Sequence, residues 1–424
     1  MLRTPRDLWE SFGGGLSANF WKLWGSTVAS NLAEGVMTVV LPIIAVRLTD
    51  SPAEVAGVAV AAQIPMLLFG LPAGGLADRL DRRLTMLAVQ LLRIAVLATL
   101  AVLAVNDALS MVSLYAAAFI VGTGEAFFDT NAQSIIPQLV TKDRLVTANG
   151  RLFAAETLMN SFVGPPIGGL LVAVSTPLAL SGSLAGFVIA AAGLLIIRGS
   201  FRPDRQGPTR RLHVEIGEGL GYLLRHRLLL TLTSMVAMGR LGSSAIFAIF
   251  ALYAVAPGPM GLSEPEYGIL FVTFGLGSLI GSFLAARVVA LLGRAQVLAL
   301  AQGVFGLGIL APALTANAWV VGAGFFIAGV AVMAWNITNV SLRQAILPTR
   351  LMGRVHASHR FIANLAGLLG AVAAGVVGEA IGLRAAFAIG ALVVLISIAG
   401  RLVVTDERIA AAEVASSASV PVAS

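Results

Sequence analysis

The sequence predicts an all-α membrane protein with twelve transmembrane helices in two pseudo-symmetric halves of six. Three observations carry that prediction. Of 424 residues, 58% are hydrophobic and only 12% charged, against roughly 45–50% and about 25% in a soluble domain. The apolar residues fall into twelve runs, each near the roughly 20 residues a spanning helix needs. One long basic connection divides the runs six and six. With a mean hydropathy of +0.90, these features exclude an ordinary soluble enzyme, a disordered chain and a nucleic-acid-binding domain.

The elements follow in order. Residues 1–20 read as a tail with mixed charge from Arg3 to Glu10. The apolar run starting near Trp21 is long enough to span. No small-residue cleavage site follows a short apolar core, so this run is expected to remain in the mature protein. An N-terminal bundle, 21–198, holds runs at 21–46, 54–77, 84–105, 111–133, 148–173 and 178–198. A linker, 199–227, carries Arg198, Arg202, Arg205, Arg210 and Arg211 at or near its start. It continues into an amphipathic stretch with Leu212, Ile216, Leu220 and Leu223 on one helical face. A C-terminal bundle, 228–404, holds runs at 228–255, 267–290, 295–315, 318–342, 357–379 and 384–404. Turn signals separate the runs: Asp50-Ser51-Pro52, Asn106-Asp107, Ser175-Thr176-Pro177, Pro257-Gly258-Pro259 and Ala316-Asn317. The tail 405–424, rich in Ala, Ser and Val, reads as disordered.

Basic residues set the orientation. With the N-terminus inside, the outer loops hold only Arg47 and Arg384, while Arg93 and Arg240 lie within spans; the rest fall at inner ends. Both termini are therefore expected in the cytoplasm. The pI of 10.6 then reflects topology, not a nucleic-acid partner. Dominance of Arg, Ala and Gly suits a high-GC bacterial genome, hence a bacterial plasma membrane. Cys is absent, which excludes disulfides and Cys-based metal sites.

The halves repeat at an offset near 207. Gly74 corresponds to Gly281, Ile135-Ile136-Pro137 to Ile346-Leu347-Pro348, and Gly150-Arg151 to Gly353-Arg354. Such a repeat places a substrate at the midplane between two rocking halves.

The connection between spans two and three is Gly74-Gly75-Leu76-Ala77-Asp78-Arg79-Leu80-Asp81-Arg82-Arg83. With its position, this segment resembles the signature loop of the major facilitator superfamily, and the resemblance covers essentially the whole chain. Asp81 stands where a second Gly is usual. The resemblance implies an inner-gate latch of Gly74, Asp78, Arg79, Arg82 and Arg83. Asp78 would accept hydrogen bonds at the start of span eleven, and Arg82 would pair with Asp129. In span five, Gly164-Pro165-Pro166-Ile167-Gly168-Gly169 is similar to the tail of the superfamily's antiporter motif; ordinary small-residue packing is the alternative. Span four keeps Gly122-Thr123-Gly124 but has Ala118 where an Arg is usual, and span three carries Arg93 instead. Ser51-Pro52, the Asp78-Arg79 loop, and Ile136-Pro137 followed by Ala148-Asn149 are most similar to the macrolide-efflux and enterobactin-exporter branch. That resemblance implies a monomer without cofactor, moving a small molecule against protons across the lipid bilayer.

Ionisable residues at membrane depth are functional candidates. Glu34 lies 13 residues past Trp21, roughly 20 Å along a helix. A carboxyl held there out of water is suited to carry a proton. Arg93, Glu125 and Glu156 each lie about 12–14 Å from the inner end of their spans, and form one expected ion-pair layer, either coupling or static. Arg240, Gln302, Asn336 and Asn339 are candidate substrate groups; packing contacts between helices are the alternative. Phe69, Phe127, Phe128, Phe247, Phe250 and Trp335 are candidates to line an apolar cavity. His356 and His359 are spaced i, i+3, but Arg354 and Arg360 beside them argue against a metal. No Gly-x-x-x-x-Gly-Lys-Ser/Thr run occurs, so direct ATP drive is not expected. The expected function is secondary active transport by alternating access, with proton-coupled efflux of amphipathic small molecules preferred. An importer or uniporter of a metabolite is the alternative, and a membrane-embedded enzyme the remote one.

Overall fold

A computed structural model of the chain describes residues 15–77, 80–199, 201–202, 212–347 and 349–418. Among them, twelve helical segments are long and apolar enough to cross a membrane. Spans one to four are Ala18–Leu48, Pro52–Ala77, Arg82–Val105 and Met111–Leu139. Span five combines Leu145–Thr157, six residues of π-helix at Leu158–Val163, and Gly164–Val174. Span six is Thr176–Leu195. Span seven runs Arg227–Phe247, turns at Ala248-Ile249 and resumes as Phe250–Ala254, where the sequence pattern suggested one run. Spans eight to eleven are Glu264–Leu292, Arg294–Leu314, Ala318–Ile346 and Thr349–Ile381. Span twelve is Leu383–Ile396, with a tighter last stretch at Ser397–Leu402.

The ends are set by local chemistry. Ser110 and Ser113 cap span four reciprocally, Ser175 accepts from Leu178 N–H, and Asn317 accepts from the Trp319 and Val320 N–H groups. Several spans extend past the apolar runs read from sequence. Ile135-Ile136-Pro137 lies inside span four, and Gly353-Arg354 lies inside span eleven. The repeated motifs therefore mark helix ends rather than the loops after them. Their polar flanking turns are helical because hydrogen bonding, not hydropathy, ends a helix.

Packing divides the chain into two compact units. The first holds residues 1–41 and 68–207, the second 42–67 and 208–424. The boundary inside span one falls at Pro42, within the helix. In the first unit a core of Phe20, Leu23, Met86, Phe128, Ile135 and Leu194 joins the ends of spans one, three, four and six. In the second, spans eight and ten meet backbone to backbone. A Cβ at Gly281 would lie 2.5 Å from the Val330 carbonyl oxygen, so only glycine allows this approach.

The linker forms a helix, Leu212–Arg225, held to span eleven by the Arg354–Glu218 ion pair. The tail expected to be disordered instead forms a helix, Asp406–Ala418. Asp406 Oδ1 accepts from Ala295 N–H at the start of span nine, and Glu413 pairs with Arg294. Composition missed this tail because its order comes from two charged contacts rather than from an apolar face.

Candidate functional site

The first unit is organised around Arg93. Its side chain is fully buried at 0% exposure and lies 2.7 Å from Glu34 Oε1. Arg93 Nη1 also donates to Ser30 Oγ at 3.1 Å, and Gln90 Nε2 donates to the same oxygen at 3.0 Å. Arg93 Nε and Nη2 both donate to the Val121 carbonyl, at 3.2 and 3.1 Å. The Phe187 ring lies 4.9 Å from the guanidinium carbon. One turn along span four, Gly124 makes room: a Cβ there would overlap Arg93 Nε. Glu34 accepts from Ser30 Oγ at 3.1 Å, while its second oxygen, Oε2, is buried without a hydrogen bond.

Three more carboxyls surround this pair. The charges of Glu34, Arg93 and Glu156 act on Glu125, and those of Glu34, Glu125, Glu156 and Arg93 act on Asp129. Glu125, Asp129 and Glu156 are half-buried. The expected layer of Arg93 with Glu125 and Glu156 is thus corrected in one respect: the ion pair of Arg93 is with Glu34, and the other carboxyls gather round it. Glu34 approaches Arg93 because Ser30, one turn earlier on span one, bridges both groups. Asp129 belongs to this group, and no ion pair joins it to Arg82 among the described residues.

The Gly164 to Gly169 segment packs against span one beside Glu34. A Cβ at Gly164 would lie 2.6 Å from the Gly35 backbone, and one at Gly168 2.7 Å from the Val36 carbonyl oxygen. Pro165 and Pro166 cannot donate to the preceding turn. The π-helical turns at Leu158–Val163 fall just before them, the kind of local bulge that recurs at functional sites. Gly169 is buried in the same stretch. Asn160 Nδ2, within the π turns, donates to Asn31 Oδ1 at 3.0 Å. The antiporter-like segment and the charge network therefore share one helix contact.

In the signature loop, Asp78 and Arg79 lie outside the described residues, and Gly74 sits in the last turns of span two. Asp81 caps span three by accepting from the Arg83 and Leu84 N–H groups, and Oδ2 takes the Phe201 N–H at 3.0 Å. Arg83 donates to the Leu194 and Leu195 carbonyls, both at 2.8 Å, closing the C-terminal end of span six.

In the second unit, the four candidate substrate residues separate. Gln302 is buried and donates to the Met235 carbonyl at 2.9 Å, a contact that joins spans nine and seven. Asn336 is exposed, whereas Asn339 is buried. Arg240 is exposed and makes no ion pair among the described residues. Ser244, one turn on, donates to Gln63 Oε1 at 3.3 Å. Phe247 continues that face and meets Phe271, Phe274 and Phe325 at 5.5–6.3 Å. Spacing i, i+4, i+7 puts Arg240, Ser244 and Phe247 on one stripe of span seven.

Comparison with known proteins decides the family. The model of the transmembrane secretion effector family matches residues 16–423. The chain belongs to that family. It is a major facilitator superfamily transporter. The multidrug efflux pump Tap of Mycolicibacterium fortuitum is 26% identical over 380 residues, covering 85% of this chain and 90% of that protein. Macrolide efflux protein A of Streptococcus pyogenes is 24% identical over 394 residues, covering 89% and 94%. Among solved structures, a D323A mutant of the nucleoside transporter NupG superposes with a TM-score of 0.75 at 12% identity, covering 91% of this chain and 99% of that one. A bacterial homologue of the lysosomal transporter Spinster gives 0.68 at 16% identity, covering 94% and 96%. These structures share the fold.

For this member of the family, sequence reasoning missed Ser30 and Gln90 around Arg93, the approach of Gly124 to that side chain, and Gln63 and Ser244 beside Arg240. Ser30 and Gln90 had a visible signal, since each lies one turn from a charged residue on the same helix face. Gly124 and Gln63 act from other helices, and only packing reveals them.

Proposed function

We propose that the chain is a proton-coupled exporter of amphipathic small molecules, working by alternating access in a bacterial plasma membrane with both termini in the cytoplasm. The observation that carries the reading is the imbalance around Arg93: one guanidinium serves Glu34, while Glu125, Asp129 and Glu156 lie close by. Four ionised carboxyls around one cation are costly at low dielectric. A cluster with more acids than cations is suited to take up and release protons. Glu34 is the anchored member; Glu125, half-buried and acted on by Glu34, Arg93 and Glu156, is the member that exchanges. Gain or loss of its proton changes the charge facing Arg93 and the span one–span five contact beside it. The loop from Gly74 to Arg83, with Asp78, Arg79 and Arg82, serves as the inner-gate latch.

For the substrate, Arg240, Ser244 and Gln63 supply polar contacts beside the Phe247 aromatic wall. Few polar anchors beside rings suit broad recognition of amphipathic molecules. The names of the efflux relatives support the outward direction. Gln302 has a structural role in this scheme, and Asn336 remains an exposed candidate.

The test is inside-out proteoliposomes carrying a proton gradient, with lumenal pH followed while macrolides and lipophilic cations are added. Substrate-triggered proton release, lost in Glu125→Gln, is the expected result. Release that persists in both Glu125→Gln and Glu34→Gln would remove the network from coupling. Silence across the panel from folded protein would remove proton-coupled efflux.

A further inference from the structure

The second unit has the opposite electrostatic character from the Arg93 network. No Asp or Glu occurs between Glu218 and Glu264, or between Glu266 and Glu379. Spans seven to eleven nevertheless carry buried cationic and polar groups. On span ten, Trp335, Asn339 and Arg343 follow at i, i+4 and i+8, one stripe of the helix. They are 6%, 2% and 8% exposed. Trp335 Nε1, Asn339 Oδ1 and Arg343 Nε are all buried without a hydrogen-bond partner. Native proteins rarely leave three such atoms in a row unsatisfied. The charge of Arg343 reaches His356 and His359 of span eleven, and Arg360 also acts on His356. Thr233 Oγ1 holds the His359 ring at Nδ1, 3.0 Å away. Neither Arg343 nor Arg360 makes an ion pair among the described residues.

A buried guanidinium without a counter-ion is costly, and no acid of spans seven to eleven, beyond those at the two outer limits, can supply one. We propose that this cluster is a binding site for an oxyanion, a carboxylate or phosphate group, anchored by Arg343 between spans ten and eleven. A guanidinium presents a fork of N–H donors that matches such a group. The Trp335 indole N–H and the Asn339 amide extend the donor track along span ten, the amide's two ends being interchangeable by rotation. Arg360 adds positive character from span eleven, and the His356 ring can offer an N–H donor. The anionic head belongs either to a transported molecule or to an anionic lipid. The site is independent of the proton-coupling reading, because it uses none of the residues of that network.

The experiment uses the full-length protein in phosphatidylcholine nanodiscs without a proton gradient. Phenyl phosphate and 4-phenylbutyrate are the probes, and neutral 4-phenylbutanol is the control. Binding is read as the tryptophan fluorescence change that is absent in Trp335→Phe. A second arm measures retention of phosphatidylglycerol against phosphatidylcholine by native mass spectrometry. Two variants are compared. Arg343→Gln removes the anchor. Asn339→Asp places a carboxylate one turn from Arg343 and fills the site internally, which keeps the protein folded.

Oxyanion binding by the wild type, weakened roughly tenfold or more in both variants with the alcohol unaffected, supports a site for substrate-sized anions. Selective phosphatidylglycerol retention, lost in both variants, supports the site with a lipid headgroup as its occupant. Absence of both signals in the wild type, or equal signals in wild type and variants, overturns it. Glu125→Gln is expected to leave this binding unchanged, so failure here and failure of proton coupling are read separately.

Discussion

Arg93 shows how much a single residue can commit in a membrane helix. Five groups from three other spans and its own converge on it: Glu34, Ser30, Gln90, the Val121 carbonyl and the Phe187 ring. Glu34→Gln leaves the guanidinium buried without its counter-charge and is expected to destabilise the protein by about 3–5 kcal/mol. Arg93→Gln orphans the carboxylate and should cost a similar amount. The double substitution removes both charges, so thermal unfolding should show it less destabilised than the sum of the singles. Additive losses would mean that the pair is not energetically coupled. His226 offers a second test at this scale. Its unprotonated Nδ1 accepts the Leu229 N–H at the start of span seven, and partial burial lowers its pKa below the ordinary value of 6.5. A His held below its unfolded value contributes fully above about pH 6.5, and the contribution is lost as pH falls from there toward the lowered folded value. Amide exchange at residues 229–231 should therefore quicken on mild acidification, and become pH-insensitive over that window in His226→Ala.

At the scale of elements, glycine, proline and caps decide where helices approach and stop. Asp81 fills a position where the family resemblance expects glycine, yet it caps span three and ties down Phe201. Asp81→Ala should cost about 0.5–2 kcal/mol, read as faster exchange in the first turn of span three with the rest of the helix protected. The twelve spans were legible because each is a long apolar run, and the turn-signal residues Asn106, Ser175 and Asn317 became their caps. The π turns at Leu158–Val163 were not legible. They depend on two prolines downstream and a glycine contact with span one, a combination no periodicity reports. The charge network was half legible. Its acids and Arg93 stand out as ionisable residues in apolar runs, but which carboxyl faces the guanidinium depends on helix rotation. Sequence depth along each span carries no information about rotation between spans.

For the molecule as a whole, the repeat predicts halves that meet at the linker, whereas the packing boundary also runs through spans one and two. Residues 42–67 group with the second unit, because the end of span one and the start of span two make their contacts there. Arg47 pairs with Glu264 at 2.6 Å, and Ser51 donates to Glu379 at 2.8 Å. The tail helix is another whole-chain feature, tying residues after span twelve back to span nine. Truncation after Val404 removes the Asp406 cap and the half-exposed Arg294–Glu413 pair. The expected loss is about 1–2 kcal/mol, seen as a lower melting temperature with proton release unchanged. A loss of transport at unchanged melting temperature would give the tail a different role.

The uneven placement of acids has a practical consequence for chemical labelling. An apolar carbodiimide attacks carboxyls that are protonated inside the membrane. In this chain its adducts should fall on peptides carrying Glu34, Glu125, Asp129 or Glu156. The stretch between Glu266 and Glu379 contains no carboxyl side chain at all, so peptides from it serve as a built-in blank. The ratio of modified to blank peptide, followed with and without a transported compound, would report occupancy of the network by protons in the intact cell.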